Sequence, residues 1–367
     1  MRGIITLGYL QAMEALLARR SGRSDFRLAD YFDLVAGTST GALIATLIAL
    51  GKTVEEIRTS YTALATEVFQ PKRYWGLGPI GRAIGTRFDA QALARVLRAQ
   101  LGEEALDSAL LRTALVIVTK RVDTSSVWPY INAPRSRYFA DRSLLDGTIS
   151  RGNRHMKLWA LLRASTAAPT FFHPEHVEEV APEERAAFID GGASAHNNPA
   201  LLALMAATLD GFGLNWPTGP DRLLLCSVGT GAFAKTPPVA DVRKFTALHW
   251  ARILIPQLMG DSMELVETLL QWMAKSPTAR PIDGNIGTVG PTLGGPDGLL
   301  HYLRYNIGLN GQDLAEVGVH LNPGQIAALH DISNTRGMPQ LLEIASRVGV
   351  SVSASHFPAG FDAAGSC

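Results

Sequence analysis

The sequence predicts an α/β fold with a mostly parallel sheet that is covered by helices. Short apolar runs typical of buried strands alternate with segments of helical periodicity over roughly the first two thirds of the chain. Nearly continuous apolar strands favour a parallel sheet, because helices cover both of its faces. Hydrophobic residues make up 47% and charged residues 18% of the 367 residues, which is typical of a globular protein with a sizeable core.

The predicted elements follow in chain order. Helices are predicted over residues 8–19, 42–50, 54–69, 88–101, 156–164 and 199–209. Strands are predicted over residues 31–36, 115–118, 187–189 and 223–228. Residues 71–86 and 277–298 are rich in glycine and are predicted to be loops. After about residue 240 the pattern becomes mainly helical.

The composition excludes several classes of protein. A formal charge of +1 gives no reason to expect a nucleic-acid partner, whose phosphates require a strongly basic face. The two cysteines, Cys226 in a buried strand and Cys367 at the end, predict neither a disulfide scaffold nor a metal site. We expect no cofactor. The sequence contains no apolar run long enough to cross a membrane and no visible signal peptide, so a cytoplasmic protein is expected.

A candidate nucleophile lies in the sequence Gly37-Thr38-Ser39-Thr40-Gly41, which fits the G-x-S-x-G elbow. A serine on a sharp strand-to-helix turn is exposed above the sheet, at a helix N-terminus that favours developing negative charge. A predicted strand precedes this pentapeptide and a predicted buried helix follows it. The alternative is an ordinary turn in which Ser39 or Thr40 caps the helix.

The candidate base is Asp190, which follows a predicted strand and precedes Gly191 and Gly192. Ligand sites of open α/β sheets lie at carboxyl ends of strands, and apolar surroundings raise the basicity of a carboxylate. The alternative is a simple turn, because Asp and Gly are common turn formers. A histidine base is the other possibility, but the late histidines lie in undistinguished settings; they are His249, His301, His320, His330 and His356.

Residues 245–273 form a long amphipathic stretch rich in Trp, Met and Leu. A pair of core-packing helices is the favoured interpretation, since the polar face is not conspicuously basic. The same stretch is the first candidate for a membrane-facing surface. Asn198 and its neighbours Asn197 and Pro199 are expected to cap the helix that follows them.

Together these residues resemble the patatin-like phospholipases, from residue 1 to about residue 231. Arg2-Gly3-Ile4 is similar to the end of the family's D-G-G-G-x-R-G loop, and residues 31–41 to its strand and elbow. Ala164-Ser165-Thr166-Ala167-Ala168-Pro169 resembles the segment before the base motif. Asp190-Gly191-Gly192 with Asn197-Asn198-Pro199 resembles the D-G-[GA]…N-P block, and residues 227–231 a later strand-turn.

The resemblance implies a Ser–Asp dyad without histidine, with Ser39 as nucleophile and Asp190 as base. It further implies hydrolysis of fatty-acyl esters through an acyl-serine, without a metal. Phospholipid or another acyl-ester lipid is the implied substrate, with transient contact to a membrane surface. The implied oxyanion hole involves the loop around Arg2 and Gly3, with Thr40 at the start of the helix. Rival hypotheses are a nonhydrolytic lipid-binding protein and an acyltransferase that uses the same serine.

We therefore expect a three-layer α/β/α fold, with residues 1–235 as the catalytic domain and residues 236–367 as a mainly helical region packed on it. Compared with the family pattern, the first strand and most of the glycine loop are absent from this chain. We hypothesise that Met1 occupies the variable position of G-G-G-x-R-G and that the reading frame continues upstream.

Overall fold

The computed structural model describes residues 1–68, 88–143, 149–177, 186–233, 239–330 and 337–362. The predicted loop 71–86 lies outside the described residues. The α-helices are α1 (Gly3–Ser21), α2 (Thr40–Ala49), α3 (Val54–Val68), α4 (Ala90–Leu101), α5 (Leu158–Ser165), α6 (Ala200–Thr208), α7 (Val239–Val242), α8 (Ala247–Met273), α9 (Gly311–Glu316), α10 (Pro323–His330) and α11 (Met338–Arg347).

The strands are β1 (Leu34–Thr38), β2 (Ala114–Arg121), β3 (Ser126–Ile131), β4 (Arg142–Ser143), β5 (Ile149–Ser150), β6 (Glu175–Val177), β7 (Ala186–Asp190), β8 (Leu224–Val228), β9 (Ala274–Lys275), β10 (Pro281–Asp283), β11 (Gly287–Thr288) and β12 (Leu300–Tyr305). Helices and a parallel-rich set of strands alternate, as expected of a three-layer α/β/α fold. The predicted strand 31–36 begins later than expected, at Leu34, because residues 28–30 form a 3-10 turn.

The larger sheet is built around β2. Strand β1 pairs with β2 in parallel, with Thr38 opposite Val118, whereas β7 is antiparallel to β2, with Asp190 opposite Thr119. Strand β3 occupies the other edge of β2 from Val116 to Arg121. Strands β1 and β7 therefore lie end to end along one edge of β2, and their carboxyl ends meet.

A second sheet has the order β8-β12-β9, and both of its pairings are parallel. The C-terminal region, which the sequence predicted to be mainly helical, also contributes β12 as a buried central strand of this sheet. His301, one of the late histidines, lies inside β12 and is buried. The pairing of β12 with β8 joins residues 236–367 directly to the preceding part of the chain.

The two sheets face one cavity of about 2750 Å³. Every residue of β1 and every residue of β8 lines it, and among the described strands each has a partner on one edge only. The cavity also reaches the start of α1. Cys226 lies on β8 and is half-buried against this space rather than sealed in the core.

The buried core fixes the helices around the larger sheet. Every residue of α2 from Ala42 to Ala49 is buried, as the all-round apolar pattern predicted. Helix α1 packs against α3 and α11 and contributes Ile4, Ile5 and Met13 to the same cluster. Helix α2 packs against β1 and β2 and also contacts α3 and α5.

Helix α8 is one continuous helix of 27 residues with Pro256 inside it. The expected pair of core-packing helices is therefore wrong. Among its described side chains, the buried ones all lie in its second half; they are Val266, Glu267, Leu270 and Gln271. In the described ranges, no helix combines the length and hydrophobicity that a membrane span requires.

Candidate active site

Ser39 lies at the sharp turn between β1 and α2. Its backbone has φ 56° and ψ −126°, a strained combination for a residue with a side chain. Ser39 is the cap residue of α2, but its side chain makes no capping hydrogen bond. The ordinary capping turn that the sequence left open therefore does not describe Ser39, whose hydroxyl points elsewhere.

The two glycines of the elbow have different roles. A Cβ atom on Gly37 would lie 2.2 Å from the carbonyl oxygen of Gly41, so only glycine lets the strand approach the helix this closely. A Cβ atom on Gly41 would meet nothing within 4 Å. Steric need explains the first glycine of the motif and not the second.

Asp190 is the hydrogen-bond partner of Ser39. The Ser39 hydroxyl donates to Asp190 Oδ2 at 2.5 Å, and the Gly192 backbone N–H donates to Asp190 Oδ1 at 2.7 Å. Asp190 is 6% exposed. Each oxygen atom of this carboxylate therefore accepts one hydrogen bond in a site nearly closed to water.

The register of the sheet brings the pair together. Thr38 and Asp190 face neighbouring residues of β2, Val118 and Thr119, from strands that run toward each other. The sequence predicted only that Asp190 lies at the carboxyl end of a strand, where ligand sites of open α/β sheets occur. In the structure, β7 is antiparallel to β2 and its carboxyl end meets that of β1 head to head.

Burial changes the acidity of Asp190. Burial raises the pKa of its carboxyl from 3.8 to about 6, while hydrogen bonds from Ser39 and Gly192 act in the opposite direction. A carboxylate with this pKa is a stronger base than an exposed one and is ionised at neutral pH.

Close packing surrounds the glycines after Asp190. A Cβ atom on Gly191 would lie 2.4 Å from the Val118 carbonyl oxygen, and one on Gly192 would lie 3.0 Å from Asp190 Oδ1. The lack of a side chain at Gly191 thus allows the backbone to pass close to β2. The N–H of Gly192 donates to the carboxylate of Asp190. Asn198, two residues before α6, accepts a hydrogen bond from the Ala200 N–H, as expected of a cap.

Ser165 is a site residue that our sequence analysis did not single out. The backbone N–H of Ser39 donates to Ser165 Oγ at 2.9 Å, and the Ser165 hydroxyl donates to the Val118 carbonyl at 2.7 Å. Ser165 is fully buried. It ties the strained elbow to β2. Ser165 lies in the segment 164–169, which resembles the family segment before the base motif. That resemblance could have pointed to Ser165, but it assigned no role to the serine.

The predicted oxyanion residues Arg2, Gly3 and Thr40 all line the cavity with Ser39. Gly3 packs against the Tyr61 hydroxyl, which a Cβ atom there would approach to 2.8 Å. The same hydroxyl lies beside Thr40, and burial raises the pKa of Tyr61 to about 12. Tyr61 therefore connects the start of α1 to the start of α2.

Arg2 places a cation inside the cavity. Its guanidinium carbon is 5.0 Å from the centre of the Phe233 ring. Within the described residues, its Nε and Nη1 atoms are buried without a hydrogen-bond partner. Burial lowers the pKa of Arg2 to about 10, so it stays charged at neutral pH.

Two of the late histidines, His301 and His356, hydrogen-bond away from Ser39 and Asp190. His301 Nε2 meets the carbonyl oxygen of His356, and His356 Nδ1 meets the Tyr305 hydroxyl. Over the described ranges, no histidine hydrogen-bonds to Ser39 or Asp190. The same ranges contain no group of three or more His, Cys, Asp or Glu side chains placed to hold a metal ion.

Fold and site together define an α/β protein with a serine on a strained strand-to-helix turn and a buried carboxylate as its partner. The family model described as patatin-like phospholipase matches residues 1–204. The chain belongs to the patatin-like phospholipase family.

Individual relatives agree with this family. Patatin-17 of Solanum cardiophyllum is 29% identical over 279 residues, which cover 71% of this chain and 66% of the relative. A cGAMP-activated phospholipase of Vibrio cholerae is 29% identical over 208 residues, which cover 55% of this chain and 54% of the relative. The chain thus spans between about half and two thirds of the length of these relatives.

Among solved structures, VipD from Legionella pneumophila aligns with 94% of this chain and 65% of its own, at 12% identity and a TM-score of 0.30. That TM-score carries no argument about the fold.

Proposed function

We propose that this protein hydrolyses fatty-acyl esters of lipids through an acyl-serine on Ser39, with Asp190 as base. The observation that supports this most is the 2.5 Å hydrogen bond from Ser39 to a buried carboxylate. Family membership supports lipid as the substrate class. The proposed activity is that of a phospholipase A or lysophospholipase.

In the first half of the reaction, Asp190 takes the proton of the Ser39 hydroxyl while the oxygen attacks the acyl carbonyl carbon. The tetrahedral intermediate then expels the alcohol part of the lipid, which takes the proton from Asp190. The acyl group remains on Ser39. Burial favours each proton transfer, because it brings the pKa of the base closer to neutral pH.

In the second half, water gives a proton to Asp190 and attacks the acyl-serine. The fatty acid leaves, and Ser39 recovers its proton from Asp190. Negative charge on the carbonyl oxygen would be stabilised at the N-terminus of α2, beside Thr40 and the Gly3 backbone. The Ser39 N–H is not free for this role, because it already donates to Ser165.

The test is fatty-acid release from mixed phospholipid vesicles by the chain and by Ser39→Ala and Asp190→Asn variants. We expect release by the parent chain and at least a thousandfold loss in each variant. Labelling of Ser39 by a fluorophosphonate would show that the nucleophile is activated. Release that persists in Ser39→Ala would refute the proposed nucleophile, and labelling without release would favour acyl transfer to another acceptor.

A further inference from the structure

The outward face of α8 carries an unusual set of side chains. These residues, which we call the outward stripe, are Trp250 (40% exposed), Leu254 (44%), Leu258 (61%), Leu265 (59%) and Trp272 (41%). At about 100° per residue, all five project within an arc of roughly 80° on the helix. They extend over a length of roughly 33 Å.

This stripe faces away from the side that holds α8 to the protein. Val266 and Leu270 are buried, and they project roughly 120° and roughly 160° from the centre of the stripe. A surface helix with one buried face normally turns charged and polar residues outward. Here five large apolar side chains also point outward, with the exposed Asp261 among them, so core packing does not account for the stripe.

The outward stripe is continuous with the cavity that contains Ser39. Residues 256–264 of α8 line that cavity, and Leu258 belongs both to the lining and to the stripe. Any external surface that binds the outward stripe would therefore also lie against the opening of the cavity. Tryptophan stands at both ends of the stripe, and the Trp272 indole N–H donates to Thr292. An apolar ring with a satisfied polar edge suits a membrane interface.

The charges around the stripe are balanced. Asp261 and Glu264 are exposed on the helix, and Arg243 and Lys244 are exposed just before it. Attraction to anionic lipid requires a surplus of lysine and arginine, which the described side chains of this surface do not present. Burial of apolar side chains in the lipid interface is the interaction that remains.

We propose that the outward stripe of α8 docks on a lipid bilayer and holds the mouth of the cavity against the membrane that supplies the substrate. The inference rests on the proposed lipid hydrolysis. The occupant is a bilayer surface with no requirement for anionic lipid.

The test measures flotation of the full chain carrying Ser39→Ala with phosphatidylcholine vesicles, so that binding is scored without hydrolysis. The test variant adds Leu254→Glu and Leu265→Glu, which do not line the cavity. The control adds Val350→Glu, another apolar residue that is 76% exposed, on the turn that packs against α1. A milder variant with serine at positions 254 and 265 guards against misfolding, and thermal unfolding checks every protein.

We expect the glutamate variant to lose at least tenfold in vesicle affinity, the serine variant to lose less, and the Val350 variant to bind as the parent does. Binding should persist at high salt and without anionic lipid. The proposal is overturned if the parent does not float, or if the glutamate variant floats equally well. It is also overturned if the variants change only the molecular mass in solution, which would identify the stripe as a contact between two copies.

The proposed function is scored separately, by hydrolysis of a short water-soluble ester by the chain with Ser39 intact. Vesicle binding without ester hydrolysis would refute the hydrolase and leave the docking surface standing. Hydrolysis of the soluble ester without vesicle binding would refute the docking surface and leave the proposed hydrolase standing.

Discussion

Asp190 illustrates how burial of one residue shapes the site. A carboxylate that accepts two hydrogen bonds would ordinarily have a low pKa, yet burial outweighs them and raises the pKa to about 6. The group is therefore poised to exchange a proton near neutral pH. The same burial means that the ionised form of Asp190 lowers the stability of the folded protein.

At the residue scale, we predict that hydrolysis of a soluble ester falls as the pH drops through about 6, because the base must be ionised to accept the Ser39 proton. The measurement is kcat/KM against pH from 4.5 to 9. A profile that is flat between pH 5 and 7 would contradict the assignment of Asp190 as base.

The same carboxyl group affects stability with a definite sign. Its pKa is raised in the folded state, so its stabilising contribution is complete below the unfolded pKa of 3.8 and is lost as the pH rises through about 6. The ionised group then costs on the order of 3 kcal/mol. We expect Asp190→Asn to raise the unfolding temperature at pH 8 relative to the parent, and the difference to shrink at pH 5. A difference that does not vary with pH would argue against this account.

We also predict a role for Ser165 in positioning the elbow. Ser165→Ala leaves the Ser39 N–H and the Val118 carbonyl without a shared partner. Each unsatisfied buried group costs roughly 1–3 kcal/mol. We expect lower stability and at least a tenfold lower kcat with a smaller change in KM. Thr166→Ala is the control, because that hydroxyl bonds only within its own helical turn.

At the scale of elements, the contact between β1 and α2 depends on the first glycine of the motif. We predict that Gly37→Ala destabilises the protein by about 1–3 kcal/mol, because its methyl group would overlap the Gly41 carbonyl. Gly41→Ala is the matched substitution, with open space around the new methyl group. Chemical denaturation of both variants should separate them, and equal losses would contradict the close contact between β1 and α2 at Gly37.

Helix α8 is held to the second sheet by buried charge. Glu267 is 5% exposed and meets both Arg280 and the buried Arg304 of β12. Glu267→Ala should cost about 3–5 kcal/mol, because it leaves Arg304 buried without its partner carboxylate. Glu264→Ala removes an exposed carboxylate 3.8 Å from Arg280 and should change stability by less than about 1 kcal/mol. Urea unfolding of the two variants provides the comparison.

At the scale of the whole molecule, the two sheets face one cavity of about 2750 Å³, which also reaches Arg2 and Ser39. Among the described strands, β1 and β8 each have a partner on one edge only. Helix α8 contributes residues 256–264 to the same cavity, so early and late parts of the chain together form its wall.

The sequence by itself determined the family, the α/β class and the order of the first elements, because local apolar patterns and short glycine motifs report local structure. It also singled out Ser39 and Asp190, which the structure brings into contact. Only the tertiary structure decided why they meet, since the antiparallel course of β7 and its end-to-end alignment with β1 depend on pairings distant in sequence. For the same reason, only the folded chain decided the hydrogen bonds of Ser165, the strand β12 and which face of α8 points outward.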